Sequence, residues 1–103
     1  METKQAVAAL SAMAQETRLE ALRLLVQAGP DGLPAGEIAR RLDVPAPTLS
    51  FHLRALLHAG LVSASRDGRE RLYAAEYARL ESLVAFLSQN CCQGRARTAA
   101  RRA

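Results

Sequence analysis

The sequence predicts a mainly α-helical domain that carries one two-stranded β-hairpin. Apolar residues recur at helical spacing over five segments, whereas one stretch around an Asp-Gly dipeptide has the pattern of two short extended runs. Two Tyr, two Phe and no Trp leave a core of Leu, Ala and Val, which favours helices over a large sheet. The 103 residues suffice for one core, so we expect one folded domain over residues 1–92 and a basic, flexible tail over residues 93–103.

Two helices open the chain. Val7, Leu10 and Met13 recur at three-residue spacing within residues 4–14, and a second leucine-rich run begins near Gln15. That run stops where two glycines and a proline provide the conformations that end a helix and turn the chain. The sequence therefore predicts two helices with a short break between them.

Two shorter helices follow, separated by a turn. The third helix is predicted over residues 35–42, with Ile38 pointing inward. Residues 43–47 contain two prolines, which fit a turn followed by the first turn of a new helix. The fourth helix is predicted over residues 48–59, where it carries a stripe of leucines and ends at Gly60.

A change of period marks the hairpin. Residues 61–66 and 70–74 are extended runs on either side of the Asp-Gly dipeptide, which is typical of tight hairpin turns. Helical spacing returns from Glu76 to about Asn90, and this segment is predicted to be the fifth and last helix.

The order of these elements is that of a winged helix-turn-helix. In that arrangement one short helix braces a second, the second enters the major groove of DNA, and the hairpin, or wing, reaches the backbone or minor groove. Taking the leucine stripe of the fourth helix as its inward side, the outward face carries Thr48, Phe51 and Arg54, with Ser50 and His52 at its flanks. We expect these five side chains to contact DNA.

Each of these residues suits a particular contact. Thr48 and Ser50 are short hydroxyl donors near a helix N-terminus, where they suit phosphates or base edges, and Arg54 suits a phosphate or a guanine. Phe51 either touches a thymine methyl group or packs on the hairpin. His52 either donates to DNA or orients its own helix through a hydrogen bond.

The basic residues cluster rather than spread. The net charge is +4, but residues 1–92 contain ten basic and ten acidic side chains, so any DNA contact by the body depends on local clusters. Arg66, Arg69 and Arg71 place three positive charges on the predicted wing, where we expect phosphate contact. The tail adds four arginines and no acidic residue, and either increases sequence-independent DNA affinity or only solvates the chain end.

Several other protein classes fit poorly. The N-terminus runs directly into an amphipathic segment and no apolar run is long enough to cross a bilayer, so we expect a cytoplasmic protein without a membrane partner. No nucleophile and base at catalytic spacing, Gly-rich phosphate loop or paired carboxylates occur, so we expect no enzyme activity. A protein interaction module with the same fold would lack salt-sensitive binding of duplex DNA.

Several motifs in this order resemble those of the ArsR/SmtB family of metalloregulatory repressors, over about residues 5–90. They are residues 16–19 (ETRL), 36–39 (GEIA), 48–56 (TLSFHLRAL), 59–62 (AGLV) and 66–69 (RDGR). The resemblance implies a repressor that binds double-stranded operator DNA as a homodimer, with its two reading helices about 34 Å apart. It also implies a dimer joined through the first and last helices, which here would use Val7, Leu10, Leu80, Leu83, Val84 and Leu87.

The resemblance also bears on the ligand, because family members place their sensing residues in different helices. Arsenic sensors of one subgroup carry cysteines in the third helix, but residues 33–42 contain none. Zinc sensors use carboxylates and histidines along the last helix, but residues 76–90 contain no histidine. The resemblance therefore implies the arsenic-responsive subgroup with a cysteine pair at the end of the last helix, here Cys91 and Cys92.

The missing third cysteine leaves the inducer open. Inorganic arsenite offers three positions for sulfur, so water, a small thiol or a group from the partner subunit would fill the third. A methylated trivalent arsenical such as methylarsenite needs only two thiolates. Antimony(III), Cd²⁺ and Cu⁺ also suit soft thiolates. A redox or persulfide sensor is the other use of two thiols, although a disulfide between neighbouring cysteines is strained. We expect no cofactor to be required for folding.

Overall fold

The computed structural model describes residues 1–93. This part of the chain forms five helices and one three-stranded sheet. In chain order the elements are α1 (Thr3–Met13), α2 (Glu16–Ala28), β1 (Leu33–Pro34), α3 (Ala35–Leu42), α4 (Ala46–His58), β2 (Val62–Asp67), β3 (Glu70–Ala75) and α5 (Tyr77–Ser88). The predicted mainly α-helical fold with a hairpin is confirmed as a winged helix-turn-helix. The predicted basic tail, apart from Gln93, lies outside the described residues.

The sheet has one more strand than the sequence predicts. Its order is β1-β3-β2, and both pairings are antiparallel. The hairpin is in register from Val62 opposite Ala75 to Asp67 opposite Glu70. The added strand, β1, has only two residues, and Leu33 pairs with Tyr73. A strand this short has no readable alternation, so the sequence pattern did not reveal it.

The core lies between α2, α3, α4 and the base of the wing. Its largest fully buried side chains are Leu25, Ile38, Leu49, Leu53, Leu56, Leu61 and Val62. The first helix adds a face of alanines, Ala6, Ala9 and Ala12, whose small side chains allow close packing against the rest of the domain. Because that alanine face points inward, Val7 and Leu10 of the same helix are exposed.

The turn between α3 and α4 sets the direction of α4. Asp43 follows α3 in the left-handed conformation, with φ at 55°, and its backbone N–H donates to the last turn of α3. Pro45 then occupies the N-cap of α4 and Pro47 lies in its first turn, where a missing N–H costs little. As a result α4 begins at Ala46, two residues before the predicted start.

The last helix ends earlier than predicted. It stops at Ser88 rather than near Asn90, because its C-cap Gln89 is extended, with φ −60° and ψ 136°. Beyond the cap, Asn90 and Cys92 are left-handed, with φ at 63°, so the helix does not resume. Cys91 and Cys92 therefore lie in turns beyond α5 and not on the helix itself.

Candidate nucleic-acid interface and thiol pair

The outward face of α4 presents most of the predicted reading residues to solvent. Thr48, Ser50, Phe51 and Arg54 are all exposed, while the leucines on the opposite side of the helix are buried. Phe51 is 56% exposed, an unusual position for a large aromatic ring. At this exposure the ring is not buried against the hairpin, which was the other interpretation of the sequence.

His52 corrects the predicted set, because it is not on this exposed face. The side chain is 9% exposed and turns toward α2, where its Nδ1 accepts a hydrogen bond from Nε of Arg18 at 3.0 Å. Burial, and then the positive charge of Arg18, lower the pKa of His52 below its ordinary value of 6.5. The imidazole is therefore neutral with its proton on Nε2. Of its two predicted roles, the structure supports orientation of the helix.

Arg18 is the residue that sequence reasoning missed. Besides its bond to His52, its guanidinium lies 5.5 Å from the ring centroid of Phe51. Phe51 in turn meets His52 edge-on, with ring centroids 5.5 Å apart and an interplanar angle of 64°. The only sequence signal for Arg18 was its place in the ETRL motif. That motif does not indicate a contact with His52, which lies 34 residues further along the chain.

The wing brings two of its arginines directly opposite each other. Arg66 on β2 pairs with Arg71 on β3, and Arg69 lies in the turn between the strands. All three side chains are exposed, and the guanidinium of Arg71 lies 5.6 Å from the ring of Tyr73. Like charges opposite one another on a ribbon repel, so this pairing is unfavourable in the isolated chain.

The two arginines of α3, Arg40 and Arg41, form ion pairs within their own helix. Glu37 accepts hydrogen bonds from Arg40 and, at 2.6 Å, from Arg41. The bond from Arg41 is the main cause that lowers the pKa of Glu37. Within residues 1–93 the ion pairs involve these α3 residues and none of the wing arginines.

The two cysteines form a contact pair beyond α5. Both are exposed, and their Sγ atoms lie 3.1 Å apart. The hydrogen bond with Cys91 raises the pKa of the Cys92 thiol. In the part of the chain that the structure describes, no group of three or more His, Cys, Asp or Glu residues converges on one point. Within residues 1–93 the thiol pair is thus joined by no third His, Cys, Asp or Glu side chain.

The predicted dimer stripe is mostly, but not wholly, on the surface. Val84 and Leu87 of α5 are 67% and 61% exposed, and Val7 and Leu10 of the adjacent α1 are also exposed. Leu83 is a correction: it is buried in the core of its own chain and is not available to a partner. Leu80 is half-buried and packs against the same core.

Within residues 1–93, none of the helices is long and apolar enough to span a membrane.

Residues 13–63 match a helix-turn-helix domain family, a range that runs from the end of α1 to the start of the wing. Over 89 residues the chain is 32% identical to the transcriptional activator HlyU of Vibrio cholerae, covering 86% of this chain and 80% of that protein. The similarity to this relative therefore extends over most of the chain and not only over the helix-turn-helix.

Solved structures of transcriptional regulators are also similar to this chain. An ArsR-like transcriptional regulator from Rhodococcus sp. RHA1 superposes with a TM-score of 0.74 at 32% identity, covering 84% of this chain and 78% of that one. A protein named as a possible transcriptional regulator for arsenical resistance gives 0.67 at 32% identity, with coverage of 77% and 79%. The homodimeric winged helix-turn-helix DNA-binding domain Mb0332 of Mycobacterium bovis, a possible ArsR-family regulator, gives 0.67 at 30% identity, with coverage of 92% and 88%. The chain belongs to the ArsR family of winged helix-turn-helix transcriptional regulators.

Proposed function

We propose that this protein is a repressor that binds double-stranded operator DNA as a homodimer and releases it when a trivalent arsenical or antimonial binds Cys91 and Cys92. The observation that carries the DNA-binding part is the combination of a polar, exposed face on α4 with a wing whose arginines face each other. A DNA phosphate between Arg66 and Arg71 would relieve their repulsion.

On DNA, the two elements have different tasks. The exposed face of α4 enters the major groove, where Arg54 pairs with a phosphate or guanine and Phe51 meets a thymine methyl group. Thr48 and Ser50, at the helix N-terminus, donate to phosphates or base edges. The wing supplies charge, and its contacts position the protein without reading sequence.

The homodimer is supported by the apolar residues that α1 and α5 leave exposed. Val7, Leu10, Val84 and Leu87 are exposed apolar residues on two helices that contact each other, and a partner chain would cover them. A twofold axis beside these helices gives two α4 helices, which suits an operator with two half-sites. The homodimeric Mb0332 domain has the same architecture.

The DNA-binding proposal is tested by the salt dependence of duplex binding. The log of the association constant falls with log salt by about 0.9 for each phosphate contact. Arg66→Ala and Arg71→Ala should each reduce that slope by about one and weaken all duplexes alike. Arg54→Ala should instead weaken binding to an operator, selected by the wild-type protein from a randomised pool, more than binding to random DNA. Arg23→Ala, an exposed arginine on α2, is the matched control and should change neither quantity.

If wild-type protein binds duplex DNA without a salt slope, or does not bind it at all, the protein is not a DNA-binding regulator of this kind. A protein interaction module with the same fold would give that outcome.

The sign of regulation needs its own test, because the relative HlyU is named an activator. A reporter gene placed behind the selected operator should be expressed weakly with the protein present and strongly without it. Stronger expression with the protein present would make it an activator and overturn repression.

The ligand proposal depends on the adjacent thiols. Two sulfurs already in contact at 3.1 Å need little rearrangement to bind one soft ion. With methylarsenite, two As–O bonds are replaced by two As–S bonds and two water molecules leave, so both thiols are satisfied. Inorganic arsenite or antimonite would need a third donor from a small thiol, water or the partner subunit.

Direct binding tests this part independently of DNA. Reduced protein incubated with methylarsenite should gain one arsenic per chain by native mass spectrometry, and Cys91→Ser should gain none. Cd²⁺ and Cu⁺ serve as competitors, and tighter binding of either would replace arsenic as the inducer. A different outcome is that a mild oxidant converts the pair to a disulfide or persulfide and releases DNA, while the protein takes up no arsenic. That result would show that the protein senses thiol oxidation and not an arsenical ligand.

A further inference from the structure

We propose that Arg18 is a positioning residue for base recognition, which fixes the ring of Phe51 on the DNA-facing side of α4 and thereby gives the protein its preference for thymine. This inference rests on the proposed DNA-binding function. It concerns a residue outside the reading helix and outside the wing.

The contacts of Arg18 link two helices. Its backbone N–H donates to Oε1 of Gln15, the N-cap of α2, at 2.9 Å, so the residue lies in the well-anchored first turn of that helix. Its Nε donates to Nδ1 of buried His52 on α4. Its guanidinium also lies near the ring of Phe51. One side chain from α2 therefore contacts two successive residues of α4.

Phe51 needs such a contact because the core does not hold it. At 56% exposure on the outward face, the ring would otherwise move between staggered side-chain rotamers. The guanidinium of Arg18 on one side and the edge of His52 on another restrict it to one orientation. A ring that is already oriented loses less entropy when it meets a base.

Lysine cannot replace arginine in this arrangement. The guanidinium is planar, so it donates through Nε in its plane while presenting charge to the aromatic ring. An ammonium group is a single charged point on a flexible chain and cannot hold both partners. Arg18→Lys thus keeps the charge near DNA and removes the geometry.

The base feature that an apolar ring recognises is the methyl group of thymine. In the major groove this methyl group distinguishes thymine from the other bases and is read by apolar contact. Replacing a thymine by deoxyuridine removes only that methyl group and leaves pairing and charge unchanged. Deoxyuridine substitution is therefore a direct measure of Phe51 contact.

The experiment uses a duplex selected by the wild-type protein from a randomised pool. Each thymine is replaced in turn by deoxyuridine, and affinity is measured by fluorescence anisotropy for wild type, R18K, R18Q, F51A and the control R23K. At one or more thymines of each half-site, wild type should lose about fivefold in affinity, the lower end of the usual penalty for a wrong base pair. F51A, R18K and R18Q should lose less than twofold there, and R18K should keep the wild-type salt slope. R23K should behave as wild type.

Several outcomes would overturn the proposal. One is an R18K profile identical to wild type. Another is a wild-type protein that binds its selected duplex but responds to no deoxyuridine. A third is R18Q weakening every duplex equally with a salt slope smaller by about one, which would make Arg18 a phosphate contact. Failure of wild type to bind any duplex would instead refute the proposed DNA-binding function itself.

A measurement on the wild-type protein covers the case in which the variants do not fold. In ¹⁵N-labelled protein, the Nε–H of Arg18 should be protected from exchange, and Nδ1 of His52 should have the shift of an unprotonated acceptor. A freely exchanging Arg18 Nε–H, or a His52 protonated on Nδ1, would contradict the arrangement.

Discussion

The hydroxyl group of Tyr77 donates a hydrogen bond to the carbonyl oxygen of Val26 at 3.1 Å. The carbonyl oxygen of Leu25 lies 3.4 Å from the same hydroxyl. Both acceptors belong to the last turn of α2, where helix carbonyls lack partners within the helix. The contact thus joins the first residue of α5, the helix that carries the exposed apolar stripe and leads to the cysteine pair, to the body of the domain.

Removing that hydroxyl should destabilise the protein. Tyr77→Phe is expected to lower the free energy of unfolding by about 1 kcal/mol, the usual net value of one hydrogen bond, in urea titrations followed by circular dichroism. Tyr73→Phe is the matched control, because the Tyr73 hydroxyl has no hydrogen-bond partner within residues 1–93. Equal losses in the two variants would show that the Tyr77 contact contributes nothing specific.

Gly32 is required for the added strand. Its φ is +74°, and a Cβ atom at this position would overlap the carbonyl oxygen of Tyr73 on β3. Gly32→Ala should therefore lower the free energy of unfolding by about 3 kcal/mol or more. Gly36→Ala is the control, since Gly36 is in α3 and nothing lies within 4 Å of its added Cβ. That variant should be stabilised by up to about 1 kcal/mol, and a loss at Gly36 matching the loss at Gly32 would contradict this account.

The free energy of unfolding should decrease as the pH is lowered, because of His52. Its pKa is lowered in the folded state, so the unfolded chain takes up a proton as the pH falls through about 6.5 while the folded protein stays neutral. The unfolded state then binds more protons, and the free energy of unfolding falls until the lower folded-state pKa is reached. Above about 6.5 this group has no effect.

The measurement is a series of urea titrations between pH 7.5 and about pH 5, chosen to stay above the range where carboxylates titrate. His52→Gln should flatten the slope, because it removes the group whose pKa is lowered by folding. A wild-type slope of zero over this interval would show that His52 is not held neutral by burial and Arg18.

The exposed stripe of α1 and α5 should control assembly. Val84→Asp and Leu87→Asp place charge on an apolar surface that a partner would bury, so each should convert a dimer to a monomer in sedimentation velocity experiments. Leu19→Asp, on an exposed leucine of α2, should remain a dimer. Leu83→Ala should act differently, lowering the free energy of unfolding by about 2 to 5 kcal/mol because the residue is buried in its own chain. Dimers of Val84→Asp and Leu87→Asp would refute this interface.

Helical period alone predicted which segments form helices. It could not show which of the two apolar faces of α1 is buried and which is exposed. Val7, Leu10 and Met13 recur every three residues, and so do Ala6, Ala9 and Ala12. The structure buries the alanines, because small side chains allow closer helix packing. The same ambiguity placed Leu83 in the dimer stripe, although the core buries it.

The candidate site was predictable where it depends on position along one helix and not where it depends on contact between helices. Thr48, Ser50, Phe51 and Arg54 lie on the exposed face that their spacing predicts. His52 lies on the boundary of that face, and Arg18 from α2 determines which way it points. The end of α5 depends on extended backbone at Gln89, which that residue type does not require.

The most direct test of the whole account is ligand-induced release of DNA. A fluorescent selected operator is saturated with reduced wild-type protein and titrated with methylarsenite and, separately, with arsenite, and Cys91→Ser and Cys92→Ser are treated in parallel. We expect anisotropy to fall to the value of free DNA for the wild type at about one arsenic per chain, while both variants stay bound. Retention of DNA by the wild type with both arsenicals, or release from the variants at the same concentrations, would contradict it.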